Sequence, residues 1–254
     1  RYALFETGEV GTLLDHCMRA LDRMMVTGSH DLPLMGGGDW NDGMDRIGDK
    51  GKGESIWLAW FQIATIGIFA PIAREAGHTV AADRWQAHAE DLVGALDRNG
   101  WDGNWYIRAF DDDGIAWGSA GNEECRIDLI AQAWSILSRL PVDDRALKAL
   151  MSAGAELVDD DARLIRLLTP PFDTTDRDPG YIQAYPPGVR ENGGQYTHAA
   201  AWLGLAYAKI KNGDRAHHVF DMINPIARTS ARDAADHYRR EPYVLAGDVS
   251  GAGA

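Results

Sequence analysis

The stretch Ile56 to Ala73 contains no charged residue and is apolar on every side of a helical projection. Such a segment either spans a membrane or lies buried on all sides in a large domain. Gln62, Thr65, Gly67 and Pro71 interrupt it, and no basic cluster marks one flank. The expectation is therefore a buried helix, with Trp57, Trp60 and Phe61 packed against other helices and no direct membrane insertion. Gly194 to Ile210 reads the same way, and a chain of 254 residues with 45% apolar composition is long enough to enclose both.

Between these runs lie amphipathic segments. Val10 to Thr27 places Leu13, Leu14, Cys17, Met18, Leu21, Met24 and Met25 at helical spacing, with Gly28 as a stop. The long apolar helix is expected over Glu54 to Ala76, and a polar-faced one from Thr79 to Asn99-Gly100. Trp101 to Phe110 predicts a short strand turning at Asp111-Asp112-Asp113-Gly114. Arg126 to Leu140 pairs with Asp143 to Val158, and Gly194 to Ile210 with Asp214 to Met222, before a last turn or two at Arg232 to Arg239. Buried helices alternating with amphipathic ones, joined by long Gly/Pro loops, fit an inner and an outer ring. The fold class expected is all-α, an α/α toroid treated as one domain over residues 1–254. An α-solenoid fits less well, because no repeat length recurs.

A formal net charge of −13 argues against a nucleic-acid partner and is compatible with a neutral polyol such as a sugar. Cys17 and Cys125 have no C-x-x-C spacing, so neither a disulfide framework nor a zinc site is expected. With no charged-then-apolar leader at Arg1 to Glu6, a reducing, cytoplasmic location is the expectation.

Two segments carry chemistry. Gly36-Gly37-Gly38-Asp39-Trp40-Asn41-Asp42-Gly43 sets an indole between two carboxylates on a glycine-loosened loop. Trp40 offers a flat apolar face to a pyranose, and Asp39 and Asp42 offer acceptors for hydroxyls or a proton for a glycosidic oxygen. An acidic turn capping its own amides would look the same. The second segment runs from Tyr185-Pro186-Pro187-Gly188 through Glu191-Asn192-Gly193-Gly194 to His198. If Gly193-Gly194 open the following helix, their amides and the positive end of its dipole form an anion site, with His198 a turn further on. A satisfied core histidine and a capping Glu191 are the plain alternatives.

Other motifs fall away. Asp39-Trp40-Asn41-Asp42-Gly43 departs from a calcium loop in its Gly and at Lys50, and Gly48-Asp49-Lys50-Gly51-Lys52-Gly53 lacks Gly-Lys-Ser/Thr. Neither a G-x-S-x-G elbow nor H-E-x-x-H occurs. No metal is expected.

Together the two segments carry a resemblance. Gly38 to Met44, Gly53-Glu54-Ser55-Ile56-Trp57-Leu58, Cys125-Arg126-Ile127-Asp128, Tyr185 to His198 and Glu241-Pro242-Tyr243-Val244 resemble the inverting glycoside phosphorylases. That family includes the cellobiose, chitobiose and β-1,2-oligoglucan enzymes. The likeness extends in particular to the C-terminal phosphorylase-like domain of cyclic β-1,2-glucan synthases. The resemblance implies an (α/α)6 barrel with Asp42 as general acid, Trp40 lining the subsite of the transferred sugar and Asp39 and Glu191 binding sugar. It also implies phosphate held by His198 beside Gly193 and Gly194. Relatives begin earlier and continue past Glu241-Pro242-Tyr243-Val244 into a phosphate-binding Thr-Gly pair, which implies an incomplete barrel within a larger polypeptide. The parent would be membrane-anchored, if at all, through other domains, and homo-oligomers are compatible with the family.

The activity so implied is inverting phosphorolysis, or its reversal, of β-linked gluco-oligosaccharides. Inorganic phosphate is the co-substrate and no organic cofactor is needed. The rivals are an inverting hydrolase in which Glu191 activates water, and a non-catalytic sugar-binding piece of a synthase.

Overall fold

The computed structural model describes residues 8–138 and 141–251. The leader reading at Arg1 to Glu6, the end of the Arg126 to Leu140 segment and the last three residues lie outside the described residues. Among the described residues three helical hairpins stand side by side. The first joins α2 (Ile56–Glu75) to α3 (Thr79–Asn99), following α1 (Leu13–Met24), which rests on α2. The second joins α4 (Leu129–Leu137) to α5 (Asp144–Glu156), and the third α6 (Thr197–Lys209) to α7 (Gly213–Ile223). Two short helices follow, α8 (Pro225–Arg228) and α9 (Arg232–Tyr238).

Burial separates two layers. α4 lies between α2 and α6, and these three form the inner layer. α2 buries Ile56, Trp57, Leu58, Ala59, Trp60, Gln62 and Ile63 in succession, sparing only Phe61, as a helix covered on several sides must. Its polar Gln62 is satisfied, donating from Nε2 to the Met24 carbonyl at 2.9 Å. The outer α5 buries only the stripe Ala146, Ala149, Leu150 and Ala153, one helical face turned inward. The packing expected of α2 holds for Trp57, which meets Trp134 of α4 edge-on at 6.0 Å, and in part for Phe61, which meets Trp134 at 5.5 Å but stays 40% exposed, whereas Trp60 is buried against the loop residue Tyr106. This alternation is the inner and outer arrangement of an (α/α)6 barrel.

Among the described residues nine short strands accompany the helices. They are β1 (Glu54–Ser55), β2 (Ala109–Phe110), β3 (Ala116–Trp117), β4 (Ile127–Asp128), β5 (Val158–Asp159), β6 (Leu164–Ile165), β7 (Leu168–Thr169), β8 (Gln195–Tyr196) and β9 (Asp248–Val249). β1, β4 and β8 each run straight into an inner helix and pair antiparallel with β2, β7 and β9. This corrects three expected boundaries. The strand expected over Trp101 to Phe110 shrinks to its last two residues, and the helices expected from Arg126 and Gly194 start at Leu129 and Thr197 because their first residues pair with distant strands.

Within the hairpins the connections are short, as at Ala76–His78 and Ile210–Asn212, whereas long loops lead into each inner helix. All of those loops therefore gather at the end where the inner helices begin. A separate apolar cluster lies under them, made of Met35, Met44, Ile47, Ala109, Trp117, Cys125, Leu168, Phe172 and Ile182. It gives the loops their own floor.

Candidate active site

Asp42 opens a single 3-10 turn, Asp42–Met44. Asn41 caps the turn, its side chain accepting the Gly43 amide at 3.0 Å, while Met44 is sunk without exposure into the loop cluster. Asp42 is exposed, and among the described residues its carboxyl takes part in no hydrogen bond or ion pair. A second 3-10 turn, Tyr181–Ala184, packs on the first. The fit leaves no room for side chains: a Cβ on Gly43 would lie 2.9 Å from the Cβ of Ile182, and one on Gly180 2.6 Å from the Gly43 carbonyl. Gly180 also has φ +111°, which side chains rarely tolerate. The close approach lets the Tyr181 amide donate to Asp45 at 3.0 Å and brings Tyr181 within reach of the Asp42 charge. Burial, then the nearby charges of Asp42 and Glu191, raise the Tyr181 phenol above its ordinary range.

The second segment supplies the facing wall. Glu191 is almost buried and lies 3.4 Å from Arg190 Nε, while the Arg190 guanidinium sits 5.3 Å over the Tyr185 ring. Trp40 meets Tyr196, His198 and Trp202 at ring separations of 5.4, 4.7 and 5.8 Å. Its indole N–H donates to His198 Nε2. An indole nitrogen can only donate, so His198 accepts at Nε2 and carries its proton on Nδ1. Partial burial lowers the His198 pKa, which agrees with a neutral ring. The structure thus brings Trp40, Asp42, Glu191 and His198 into one neighbourhood at the inner-helix ends.

Two expectations are corrected. The carboxylate of Asp39 has no exposed surface and cannot reach a sugar hydroxyl. It is gripped by Arg108, whose Nη1 and Nη2 donate to its two oxygens at 2.7 and 2.6 Å, and it also accepts the Ser55 hydroxyl. Burial would raise its pKa, but the Arg108 charge and these hydrogen bonds prevail and hold it low. Arg108 in turn lies with Nε 3.4 Å from Asp128 Oδ2. Asp128 is pushed up to about 6 by burial, with Arg108 opposing and the like charge of Asp39 reinforcing.

The helix-opening position expected of Gly193 and Gly194 is the second correction. β8 separates them from α6, and the Gly193 amide is already donated to the Glu191 carbonyl at 2.9 Å. Their identity has a packing reason instead: Gly193 has φ +83°, and a Cβ on Gly194 would sit 2.7 Å from the Arg190 carbonyl. The first amide of α6, that of Thr197, is taken by the Gly247 carbonyl. His198 keeps its place, exposed, as the second residue of α6.

Sequence reasoning assigned no role to Tyr181, Arg190, Trp202, Arg108 or Asp128. For Arg108 a signal existed: an arginine inside Trp105-Tyr106-Ile107-Arg108-Ala109-Phe110 must find a buried partner. Tyr181 had none, because its position depends on the packing of two turns.

Residues 3–254 match the glycosyl hydrolase 94 superfamily, catalytic domain. The chain is 51% identical over 247 residues to cyclic β-(1,2)-glucan synthase NdvB of Rhizobium meliloti (strain 1021), covering 97% of this chain and 9% of that protein. It is 35% identical over 220 residues to 3-O-β-D-glucopyranosyl-β-D-glucuronide phosphorylase of Paenibacillus borealis, with 86% of this chain and 28% of the relative covered. Solabiose phosphorylase of the same organism is 32% identical over 241 residues, with coverages of 92% and 30%. The chain thus spans less than a third of each of these relatives. With a carboxylate-bearing turn next to an aromatic and histidine cluster on an α/α scaffold, and a match over almost its whole length, the chain belongs to the glycosyl hydrolase 94 superfamily and carries catalytic-domain sequence of that family.

Proposed function

We propose that this chain is the acid-bearing part of an inverting enzyme that phosphorolyses β-1,2-linked gluco-oligosaccharides, or runs the reverse synthesis. The observation that carries the reading is Asp42, exposed and unpaired among the described residues at the head of a tightly packed turn, sharing Tyr181 with Glu191 and lying two residues from Trp40, which is bonded to His198. The phosphorylase relatives support the reaction class, and the 51% identical synthase supports the β-1,2 linkage.

In this reading, protonated Asp42 gives its proton to the glycosidic oxygen as the C1–O bond breaks. A phosphate oxygen attacks C1 from the opposite face, forming α-glucose 1-phosphate and a shortened oligosaccharide. The proton carried in by hydrogen phosphate restores the balance and recharges the acid. Phosphate is already anionic, so no protein base, metal or organic cofactor enters the step. The protein supplies position, with the Nδ1–H of His198 as a donor to the nucleophile. Trp40 and Glu191 hold the sugar.

The wider reading places the chain in a longer, cytoplasmic polypeptide, compatible with homo-oligomers and with α2 as a barrel helix. A second reading is hydrolysis, favoured by Glu191, which shares Tyr181 with Asp42 and would activate water. The test incubates the full-length parent with β-1,2-gluco-oligosaccharides with and without inorganic phosphate and follows products by NMR. Phosphate-dependent α-glucose 1-phosphate is expected. Free glucose released at the same rate without phosphate would establish hydrolysis instead, and binding without turnover would leave a sugar-binding piece.

A further inference from the structure

Among the described residues no side chain bonds to the Asp42 carboxyl. Its direction is set by the backbone of its turn, and that backbone can be followed inward. The turn is capped by Asn41, whose side chain is buried and accepts the Gly43 amide. Asn41 in turn donates its own amide to Asp39 Oδ1 at 3.0 Å. Asp39 is held in the two-pronged grip of Arg108 and accepts the Ser55 hydroxyl. Ser55 Oγ accepts the Leu58 amide at 3.0 Å and so caps α2, while Asp128 Oδ1 accepts the Ile130 amide at 3.0 Å and caps α4. Arg108, paired with both carboxylates, therefore ties the turn to the first residues of two inner helices.

An apolar cluster alone would hold the turn down without fixing its rotation. Met44 does that work from below and the Tyr181–Ala184 turn packs on the outer side, but neither contact sets the plane of the Asp39 carboxylate that receives Asn41. A planar guanidinium bound to both oxygens of one carboxylate sets the plane of that carboxylate, and with it the direction in which Oδ1 receives Asn41. A buried ion cluster is not a cheap source of stability, since well-packed apolar groups often do as well. What it supplies here is orientation.

We infer that Arg108, Asp39 and Asp128 form a positioning device for the general acid, with Arg108 and Asp39 as positioning residues that reach the reaction only through the Asn41–Asp42 turn. The inference rests on the proposed role of Asp42. It adds that the charge cluster serves proton delivery and not the binding of sugar or phosphate.

Leaving-group dependence separates that role from a merely structural one. In the full-length parent, with phosphate present, a β-1,2-gluco-oligosaccharide needs a proton on its departing oxygen, whereas 2,4-dinitrophenyl β-glucoside expels a stable phenolate without one. Asp42→Asn is the reference and should slow the oligosaccharide at least ~10²-fold while sparing the aryl glucoside. Asp39→Asn and Arg108→Lys should reproduce this selectivity, losing ~10- to 10²-fold in kcat on the oligosaccharide and less than ~3-fold on the aryl glucoside, with both KM values nearly unchanged. Should Asp39→Asn fail to fold by circular dichroism, Arg108→Lys, which keeps the charge, decides the matter. Equal losses on the two substrates, or none, would overturn the positioning role while leaving Asp42 as the acid. An Asp42→Asn enzyme that does not discriminate between the substrates would overturn the acid assignment and this inference with it.

Discussion

The openings of α2 and α4 differ from the opening of α6 in what secures them. Ser55 and Asp128 cap the first two helices and are joined through Arg108 and Asp39 into one buried charge cluster. α6 has no side-chain cap, and its first turn shows an exposed His198 beside Trp40 and Trp202. Three helices in equivalent places are thus started by two kinds of chemistry. The contrast suits the proposed reaction. A proton donor must be held to a fraction of an ångström, whereas a mobile anion can be met by an exposed donor among aromatic rings that adjust around it.

Arg108→Met tests the rigid side most severely. It leaves two buried carboxylates without their cation, so urea denaturation should show a loss of about 3–5 kcal/mol. A loss under about 1 kcal/mol would mean that the cluster is not what secures α2 and α4. Next in size is Asp42→Asn, which should lower phosphorolysis at least ~10²-fold, a barrier of about 2.7 kcal/mol, with an unchanged melting temperature because the side chain is exposed and unpaired. Near-normal turnover would remove the acid from that turn.

On the open side the effects are smaller. His198→Ala should raise the KM for phosphate ~10-fold, the worth of one charge-assisted hydrogen bond, and leave the KM for the oligosaccharide within ~3-fold. The reverse pattern would move His198 to a sugar subsite. The remaining effect concerns pH. Asp128 has a folded pKa of about 6, above its ordinary 3.8, so the folded protein holds that proton more tightly than the unfolded chain. Its contribution is complete below about pH 4 and fades as pH rises through 6. Asp128→Asn lacks this dependence and should gain on the wild type by about 1–3 kcal/mol between pH 4.5 and 7 in paired denaturation curves. A gap that stays constant with pH would refute the assignment.

The two sides also differ in how far the sequence discloses them. α3 runs over the residues its periodicity predicts, Thr79–Asn99, because an amphipathic stripe is local information. Trp40, Asp42, Glu191 and His198 were legible as candidates from residue type and glycine context. Asp39 was misread as a sugar ligand because its partner Arg108 lies 69 residues away, and nothing between them announces the pairing. The two-residue strands before the inner helices were missed for the same reason. Gln195–Tyr196 has no strand character of its own and is extended because Asp248–Val249 lies beside it.

That last pairing sets an order of assembly. The Arg108 cluster comes first, since Asp39, Ser55, Arg108 and Asp128 are all present once Asp128 has left the ribosome, and the Tyr181–Ala184 turn that packs on the Asp42 turn follows it. The opening of α6 must wait for Gly247 and β9, which supply the Thr197 amide with its acceptor and β8 with its neighbour. At about 5–20 residues per second the second half of the site follows the first by on the order of ten seconds. During that interval the charge cluster stands without the opening of α6, so the two sides of the candidate site are assembled in sequence and meet only once β9 has been made.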